Sequence, residues 1–168
     1  MPRNNMQGSL PSELGLLTDL KTLNIVANTG LTGTIPTEIG SLAALTYLGL
    51  QLNSITGTLP SEINRLGELF VLFLDGNNLI GTLPPAWGTG VLPSLESIWL
   101  FDNQLSGTIP MEWGGLTSLG ELFLTNNNLT GVVPQRVCDI QNTEFPNLES
   151  FTVDCDEVEC SCCSPACP

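Results

Sequence analysis

The sequence contains no histidine and only four basic residues, and both shortages exclude classes of function. Without histidine the chain lacks the commonest general base, both Ser-His-Asp and Cys-His catalysis, and histidine metal ligands. The four Lys and Arg residues stand against 17 Asp and Glu residues, which gives a formal charge of −13. Such a surface repels phosphate backbones, so we expect no nucleic-acid partner.

Long apolar runs are also absent. No segment approaches the roughly 18 apolar residues that a membrane-spanning helix needs, so we expect no membrane insertion in this segment. The start of the chain, MPRNNMQGSL, lacks the apolar centre of a signal peptide. Because 42% of the residues are hydrophobic and only 12% are charged, the composition excludes a disordered chain.

A repeated segment fills most of the remaining sequence. It has the pattern LxxLxLxxNxLxGxIP, as in LFVLFLDGNNLIGTLP, and its copies begin 24 to 29 residues apart. They begin at Leu20, Leu45, Leu69, Leu95, Leu119 and, in shortened form, Leu148. This period and pattern are typical of a leucine-rich-repeat solenoid, in which each repeat forms one coil. The predicted fold is therefore an α/β solenoid, a right-handed superhelix with a concave parallel sheet and convex 3-10 or helical turns.

Each part of the repeat has a physical role in this fold. The LxL leucines, for example Leu72 and Leu74, point to the same side of a short strand and form the core. An Asn follows at a fixed offset, where its amide can satisfy backbone groups that the turn leaves unpaired. These asparagines are Asn28, Asn53, Asn77, Asn103 and Asn127. We expect them to form a structural ladder.

The LxGxIP ending resembles the plant-type leucine-rich repeats of receptor-kinase ectodomains and polygalacturonase-inhibiting proteins. The resemblance covers about Asn4 to Cys155 and implies a second set of short strands beside the concave sheet. The start departs from that family, because the first coil begins in its middle without a paired-cysteine cap. We therefore expect a fragment of a longer protein or a misplaced gene start, and a fragment would also explain the absent signal peptide.

Cysteines near the end of the chain predict a disulfide cap. They are Cys138, Cys155, Cys160, Cys162, Cys163 and Cys167. Six cysteines allow fifteen pairings, among which the sequence does not choose, although a bridge from Cys155 to Cys138 would tie the last two coils together. A zinc site is the alternative, but the tail lacks two separated CxxC or CxxH pairs, so we expect no metal. We divide the chain into a solenoid of about six coils, residues 1–154, with an incomplete first coil, and a Cys-rich cap, residues 155–168.

Two further features favour an extracellular or cell-surface location. The tail DCDEVECSCCSPAC is similar to the ends of leucine-rich-repeat proteins predicted from diatom genomes, which implies secretion or display at the cell surface. Asn128, in Asn-Leu-Thr, is a candidate glycosylation site.

The variable strand positions carry the candidate ligand-binding residues. The residue between the two core positions is aromatic in three consecutive coils, and neighbouring strands lie about 4.8 Å apart. The candidates are Tyr47, Val71, Phe73, Asp75, Trp99, Phe101, Glu121 and Phe123. Exposed aromatic side chains rimmed by acids are typical of an interaction patch. The alternative is a purely structural stack, because cross-strand rings stabilise a sheet on their own.

Three functional hypotheses follow. The leading one is a non-catalytic module without a cofactor that binds a protein, peptide or glycan on its concave face. The second is a surface-adsorbing or ice-binding protein that uses the Thr and Ser columns of the second strands, such as Thr32 to Thr34 and Thr56 to Thr58. The third is an enzyme with paired carboxylates, but no carboxylate pair stands out, so we expect no enzyme.

Overall fold

The computed structural model describes residues 4–89, 91–142 and 148–163. Six short parallel strands, one per coil, pair in chain order into the concave sheet. They are β2 (Thr22–Asn24), β4 (Tyr47–Gly49), β6 (Val71–Phe73), β8 (Ser97–Trp99), β10 (Glu121–Phe123) and β13 (Ser150–Thr152). The register is constant, since Leu48 lies opposite Leu72 and Leu72 opposite Ile98. The predicted concave parallel sheet is confirmed.

A second set of short strands follows the ladder asparagines. Four of them, β5 (Thr56–Thr58), β7 (Asn78–Thr82), β9 (Gln104–Gly107) and β11 (Asn128–Leu129), form one parallel sheet. Two further pairs are β1 (Gln7–Ser9) with β3 (Gly30–Thr32), and β12 (Gly131–Val132) with β14 (Val158–Glu159). The predicted second strands are confirmed, and the predicted cap itself supplies β14. Glycine is needed here because these segments pass through positive φ, as at Gly57 (79°) and Gly81 (82°).

The convex return of each coil is a short 3-10 helix. These helices are η1 (Ser12–Leu16), η2 (Thr37–Ser41), η3 (Ser61–Arg65), η4 (Pro85–Gly88), η5 (Met111–Gly115) and η6 (Asp139–Asn142), and a short α-helix, α1 (Gln135–Cys138), precedes the last. Proline stands immediately before the first five in an extended conformation, as Pro36 does with φ −69° and ψ 144°. Its fixed φ and missing N–H end the strand and allow the turn to begin. Within the described residues, no helix has the length and apolar character to cross a membrane.

The core is one stack of leucine and isoleucine layers between the concave sheet and the convex turns. It also contains a buried tryptophan pair, Trp87 and Trp113, whose rings lie 5.7 Å apart and are fully buried. Each indole N–H donates to a proline carbonyl one coil back: Trp87 to Pro60 at 3.2 Å and Trp113 to Pro84 at 2.9 Å. The pair therefore ties three successive convex turns together.

The asparagine ladder has the predicted structural role. Asn53 Oδ1 accepts a hydrogen bond from Asn28 N at 2.9 Å, and its Nδ2 donates to Leu50 O and Ile25 O, both at 2.7 Å. Asn77 likewise bridges two coils, although its Oδ1 accepts from Ile55 N at 3.0 Å, two residues after the ladder asparagine of the coil before. Each amide thus bridges two coils, which satisfies buried backbone groups at the bend.

Asp154 closes the ladder at the last coil. In the two preceding coils both backbone N–H groups at this bend donate to backbone carbonyls of the following coil, as Gly76 N does to Phe101 O and Asn77 N to Asp102 O. In the last repeat the Asp154 carboxylate accepts both bonds instead, from Asn126 N at 2.8 Å and Asn127 N at 3.0 Å. A charged side chain of the following coil therefore accepts the bonds that backbone carbonyls accept in the two preceding coils.

The sequence left the disulfide pairing open, and the bridge from Cys138 to Cys155 that would have tied the last two coils together is not formed. Cys138 in α1 pairs with Cys162, and Cys160 pairs with Cys163. Cys155 is also disulfide-bonded, and Cys167 lies outside the described residues. The physical reason is the path of the tail, because the pairing of β14 with β12 carries the residues after β14 back towards α1. The predicted disulfide cap is otherwise present.

Candidate functional site

An aromatic ridge crosses the concave sheet. It consists of Tyr47, Phe73, Trp99, Phe101 and Phe123, all partly exposed. Phe73 stacks on Trp99 with ring centroids 3.9 Å apart, and Trp99 meets Phe123 at 5.5 Å with a 41° tilt. Tyr47 contacts Phe73 edge-on at 5.8 Å, and Phe101 lies 6.2 Å from Trp99. The strand register therefore brings these five predicted site residues into one continuous surface.

Glu121 holds the centre of the ridge in place. It lies on the neighbouring strand opposite Ser97, diagonal to Trp99, and its Oε2 accepts a hydrogen bond from Trp99 Nε1 at 3.0 Å. A bond to an ionised acceptor is stronger than one between neutral groups. The remaining predicted residue of this row, Val71, is partly exposed beside Tyr47. Both residues therefore border the ridge, as the pattern predicts.

Asp75 lies deeper than its predicted place on an exposed rim. Its side chain is only 5% exposed, and its Oδ1 has no hydrogen-bond partner among the described residues. Burial raises the pKa of this carboxyl to about 6; a hydrogen bond from its own backbone opposes the rise, and the negative charge of Asp102 adds to it. One oxygen of this buried carboxyl, Oδ1, thus lacks a donor among the described residues.

Gln51 is a residue that the sequence analysis did not single out. It occupies the position of Asp75 one coil earlier, and its Oε1 is likewise buried without a hydrogen-bond partner in the part of the chain described. Gly49 makes room for it, since a methyl group there would lie 3.0 Å from Gln51 Oε1. The sequence did contain a signal for it, because Gln51 and Asp75 stand at the same position of adjacent repeats. Two buried acceptor oxygens without a described hydrogen-bond donor therefore lie in adjacent coils beside the ridge.

Basic side chains of the chain itself lie elsewhere. Lys21 is exposed just before β2, Arg65 is exposed in η3, and Arg136 is exposed in α1. Arg3 lies outside the described residues. Of the acids at the ridge, Asp102 is exposed and accepts a hydrogen bond from Asn126 Nδ2. None of the three described cations thus belongs to the strand positions that carry the ridge.

The second strands present a threonine column, formed by exposed Thr34, Thr58, Thr82 and Thr108. The four side chains share one orientation, because each Cγ2 lies beside the glycine of the next coil. A methyl group added to those glycines would meet the Cγ2 atoms at 2.7 to 3.1 Å. The predicted sequon residue, Asn128, is exposed on β11 at the same side of the solenoid.

Comparison with known families supports the repeat. A profile of the Leucine Rich Repeat family matches residues 94–116. A search of curated protein sequences gives no significant match. Among solved structures, the plant peptide hormone receptor RGFR1 in complex with RGF2 is 32% identical, with a TM-score of 0.80 over 92% of this chain and 27% of that chain.

Two other solved structures are similar over about four fifths of the chain. The ectodomain of the Arabidopsis thaliana receptor kinase GASSHO1/SCHENGEN3, in complex with CASPARIAN STRIP INTEGRITY FACTOR 2, is 38% identical, with a TM-score of 0.75 over 81% of this chain and 16% of that chain. A plant ice-binding protein is 34% identical, with a TM-score of 0.73 over 79% of this chain and 42% of that chain. The chain thus spans less than half the length of each of these relatives. By its repeat, its stacked parallel strands and these matches, the chain belongs to the plant-type leucine-rich-repeat family.

Proposed function

We propose that this chain is a non-catalytic recognition module that binds a peptide or a protein segment across its concave face. The observation that carries the proposal is the aromatic ridge, whose rings form one partly exposed surface over four adjacent coils. The solenoid core is complete beneath it and does not require rings at these positions. Two similar receptors are solved in complex with RGF2 and with CASPARIAN STRIP INTEGRITY FACTOR 2, which supports this class of ligand.

The ridge suits this role energetically. Aromatic side chains offer a large contact area and have few rotatable bonds, so little entropy is lost when a ligand packs against them. Neighbouring strands hold the rings in register, and Glu121 fixes the Trp99 indole. Such preorganisation lowers the cost of binding. Trp99, at the centre of the ridge, is therefore the expected hot spot.

An extracellular or cell-surface location forms part of the proposal. Disulfides such as Cys138–Cys162 persist in oxidising compartments and are rare in the cytosol. Exposed Asn128 would there be available for glycosylation. Mass spectrometry of the secreted protein, with and without glycosidase treatment, tests both features at once.

Binding can be tested with the paired substitution Trp99→Ala and Phe123→Ala. Fluorescently labelled protein is applied to an immobilised random hexapeptide library and to a glycan array. We expect peptide capture by the wild type and at least a tenfold loss in the variant, because hot-spot rings typically contribute 2 kcal/mol or more. Phe70→Ala is the matched control, since Phe70 is an exposed ring (44%) outside the ridge. Unchanged capture by the double variant would contradict the proposal, and capture of glycans alone would replace a peptide ligand with a sugar.

A second candidate function is adsorption to ice. The threonine column repeats a hydroxyl and a methyl at the spacing of parallel strands, about 4.8 Å, and one similar structure is a plant ice-binding protein. The neighbouring column is less regular, because Ile80 interrupts it, and Thr56 Oγ1 donates to Gly33 O at 3.1 Å. Thermal hysteresis at millimolar protein tests this function. An ice-binding function requires that the wild type shows hysteresis and that Thr82→Tyr removes it. Absence of hysteresis in the wild type would contradict this function.

A further inference from the structure

The two unpartnered oxygens beside the ridge indicate what its ligand carries, an inference that rests on the proposed function. We propose that the ligand presents a cationic side chain, a Lys ammonium or an Arg guanidinium, which binds Asp75 and Gln51 beside the ridge rings. The site then recognises a basic residue within a peptide or protein segment.

The first support is the missing donor. A buried oxygen that accepts no hydrogen bond is costly, and folded proteins contain few of them. Among the described residues, neither Asp75 Oδ1 nor Gln51 Oε1 has a donor, and the two residues lie at the same position of adjacent coils. A guanidinium has five N–H donors and an ammonium has three, so either can serve both oxygens together.

The second support is charge. The chain carries a formal charge of −13, the negative charge of Asp102 acts on Asp75, and Glu121 adds a further acid at Trp99. Of its described cations, Arg65 and Arg136 lie in the convex turns, and Lys21 lies at the Tyr47 end of the ridge, where its carbonyl accepts a hydrogen bond from Tyr47 N at 3.1 Å. A ligand cation therefore meets a negative potential that no described basic side chain beside Asp75 neutralises.

The third support is the neighbouring rings. Phe73 precedes Asp75 by two residues on the same strand face, and Phe101 occupies the position of Asp75 in the next coil. A cation near aromatic faces gains a further attraction, which is larger when water is excluded. Because both oxygens are buried, the proposed binding requires the Gln51 side chain to move, and its Oε1 makes no hydrogen bond among the described residues that would oppose this. Acceptors and rings together favour a cation over a neutral sugar hydroxyl.

The arrangement predicts a pH signature. The groups nearest Asp75 by register and charge are Gln51 from the preceding coil, Asn77 from its own coil, and Phe101 with Asp102 from the next. Of these, Asp102 carries the charge that repels Asp75. A cation binds the ionised carboxylate, whose free pKa is about 6, so affinity should fall as the pH drops below that value.

A small-molecule titration tests the site without knowledge of the natural ligand. N-acetyl-L-arginine amide and its neutral isostere N-acetyl-L-citrulline amide are added to the full chain carrying 13C-labelled aspartates. We expect the arginine probe to shift the Asp75 carboxyl resonance, to lower its pKa, and to bind at least tenfold more tightly than citrulline. Asp75→Asn should abolish the preference. Asp19→Asn, which removes the same charge from an exposed turn after η1, should retain it.

Hexapeptide libraries with a fixed central arginine or citrulline separate this inference from the proposed function. At least tenfold stronger capture of the arginine library by the wild type, reduced below twofold in Asp75→Asn, supports the inference. Equal capture of both libraries that still depends on Trp99 and Phe123 overturns the cation site and leaves the proposed function standing. Capture that is independent of the ridge overturns both.

Discussion

The molecule contains two tryptophan stacks with opposite surroundings. In the buried pair, Trp87 and Trp113 are fully enclosed and each N–H donates to a proline carbonyl. In the aromatic ridge, Trp99 stacks on Phe73 more closely, yet it is partly exposed and its N–H donates to the Glu121 carboxylate. Similar ring contacts thus stabilise the fold on the convex side and leave a usable surface on the concave side.

Truncation of one ring in each stack should give the largest difference. Trp113→Ala removes a fully buried indole and leaves a cavity, so we expect a loss of about 3–5 kcal/mol in the free energy of unfolding. Trp99→Ala should cost about 1–2 kcal/mol, because part of that ring already faces water. Urea denaturation measures both values, and Trp113→Phe serves if the alanine variant does not fold. Equal losses would make the ridge a second core element rather than a surface.

The repeat makes the division between the two stacks largely predictable. Trp87 and Trp113 stand three residues after a repeat proline, where Ile39 and Ile63 stand in earlier coils, and that position faces the core. Trp99 lies between two core positions of a strand and must face outward. Strand periodicity and coil period therefore determine which face each ring occupies.

Other properties depend on contacts between coils that the repeat pattern does not predict. The burial of Asp75 depends on which side chains its neighbours carry, including Gln51 in the coil before. The pairing of Cys138 with Cys162 depends on how the tail returns through β14. Asp154 likewise belongs to a variable column by sequence, but its carboxylate closes the ladder. Such features follow from the ends and irregular positions of the repeat.

Replacement of Asp75 should increase the free energy of unfolding, because the buried carboxyl at this position of the concave face is unfavourable for folding at neutral pH. The pKa of this carboxyl is raised from 3.8 to about 6 in the folded protein. Its contribution to the free energy of unfolding is therefore fully present below about pH 4, where the carboxyl is protonated, and is lost as the pH rises through 6 and the buried group ionises. The Asp75→Asn variant has no ionisable group at this position, so it does not lose this stability at higher pH. We expect it to be more stable than the wild type by about 1–3 kcal/mol at pH 7.5.

Urea denaturation of both proteins at several pH values measures this effect. The difference between them should shrink from pH 7.5 to pH 5 and vanish near pH 4, since the other carboxylates are common to both and cancel. A difference that does not change with pH would show that Asp75 is not strained by burial. The gain in stability, together with the loss of arginine preference, would separate a binding residue from a structural one.

The smallest expected effect concerns the bond that distinguishes the two stacks. Glu121→Gln keeps the size of the side chain and an acceptor oxygen for Trp99 Nε1, but removes the charge that strengthens the bond. We expect a loss of about 0.5–1 kcal/mol or less in the free energy of unfolding. The indole N–H of Trp99 should exchange faster with solvent in NMR spectra, whereas the N–H groups of Trp87 and Trp113 should not change, because their acceptors are backbone carbonyls in the core. A common change in all three indoles would mean that the ridge and the buried pair respond as one unit, and the distinction between a surface stack and a core stack would fail.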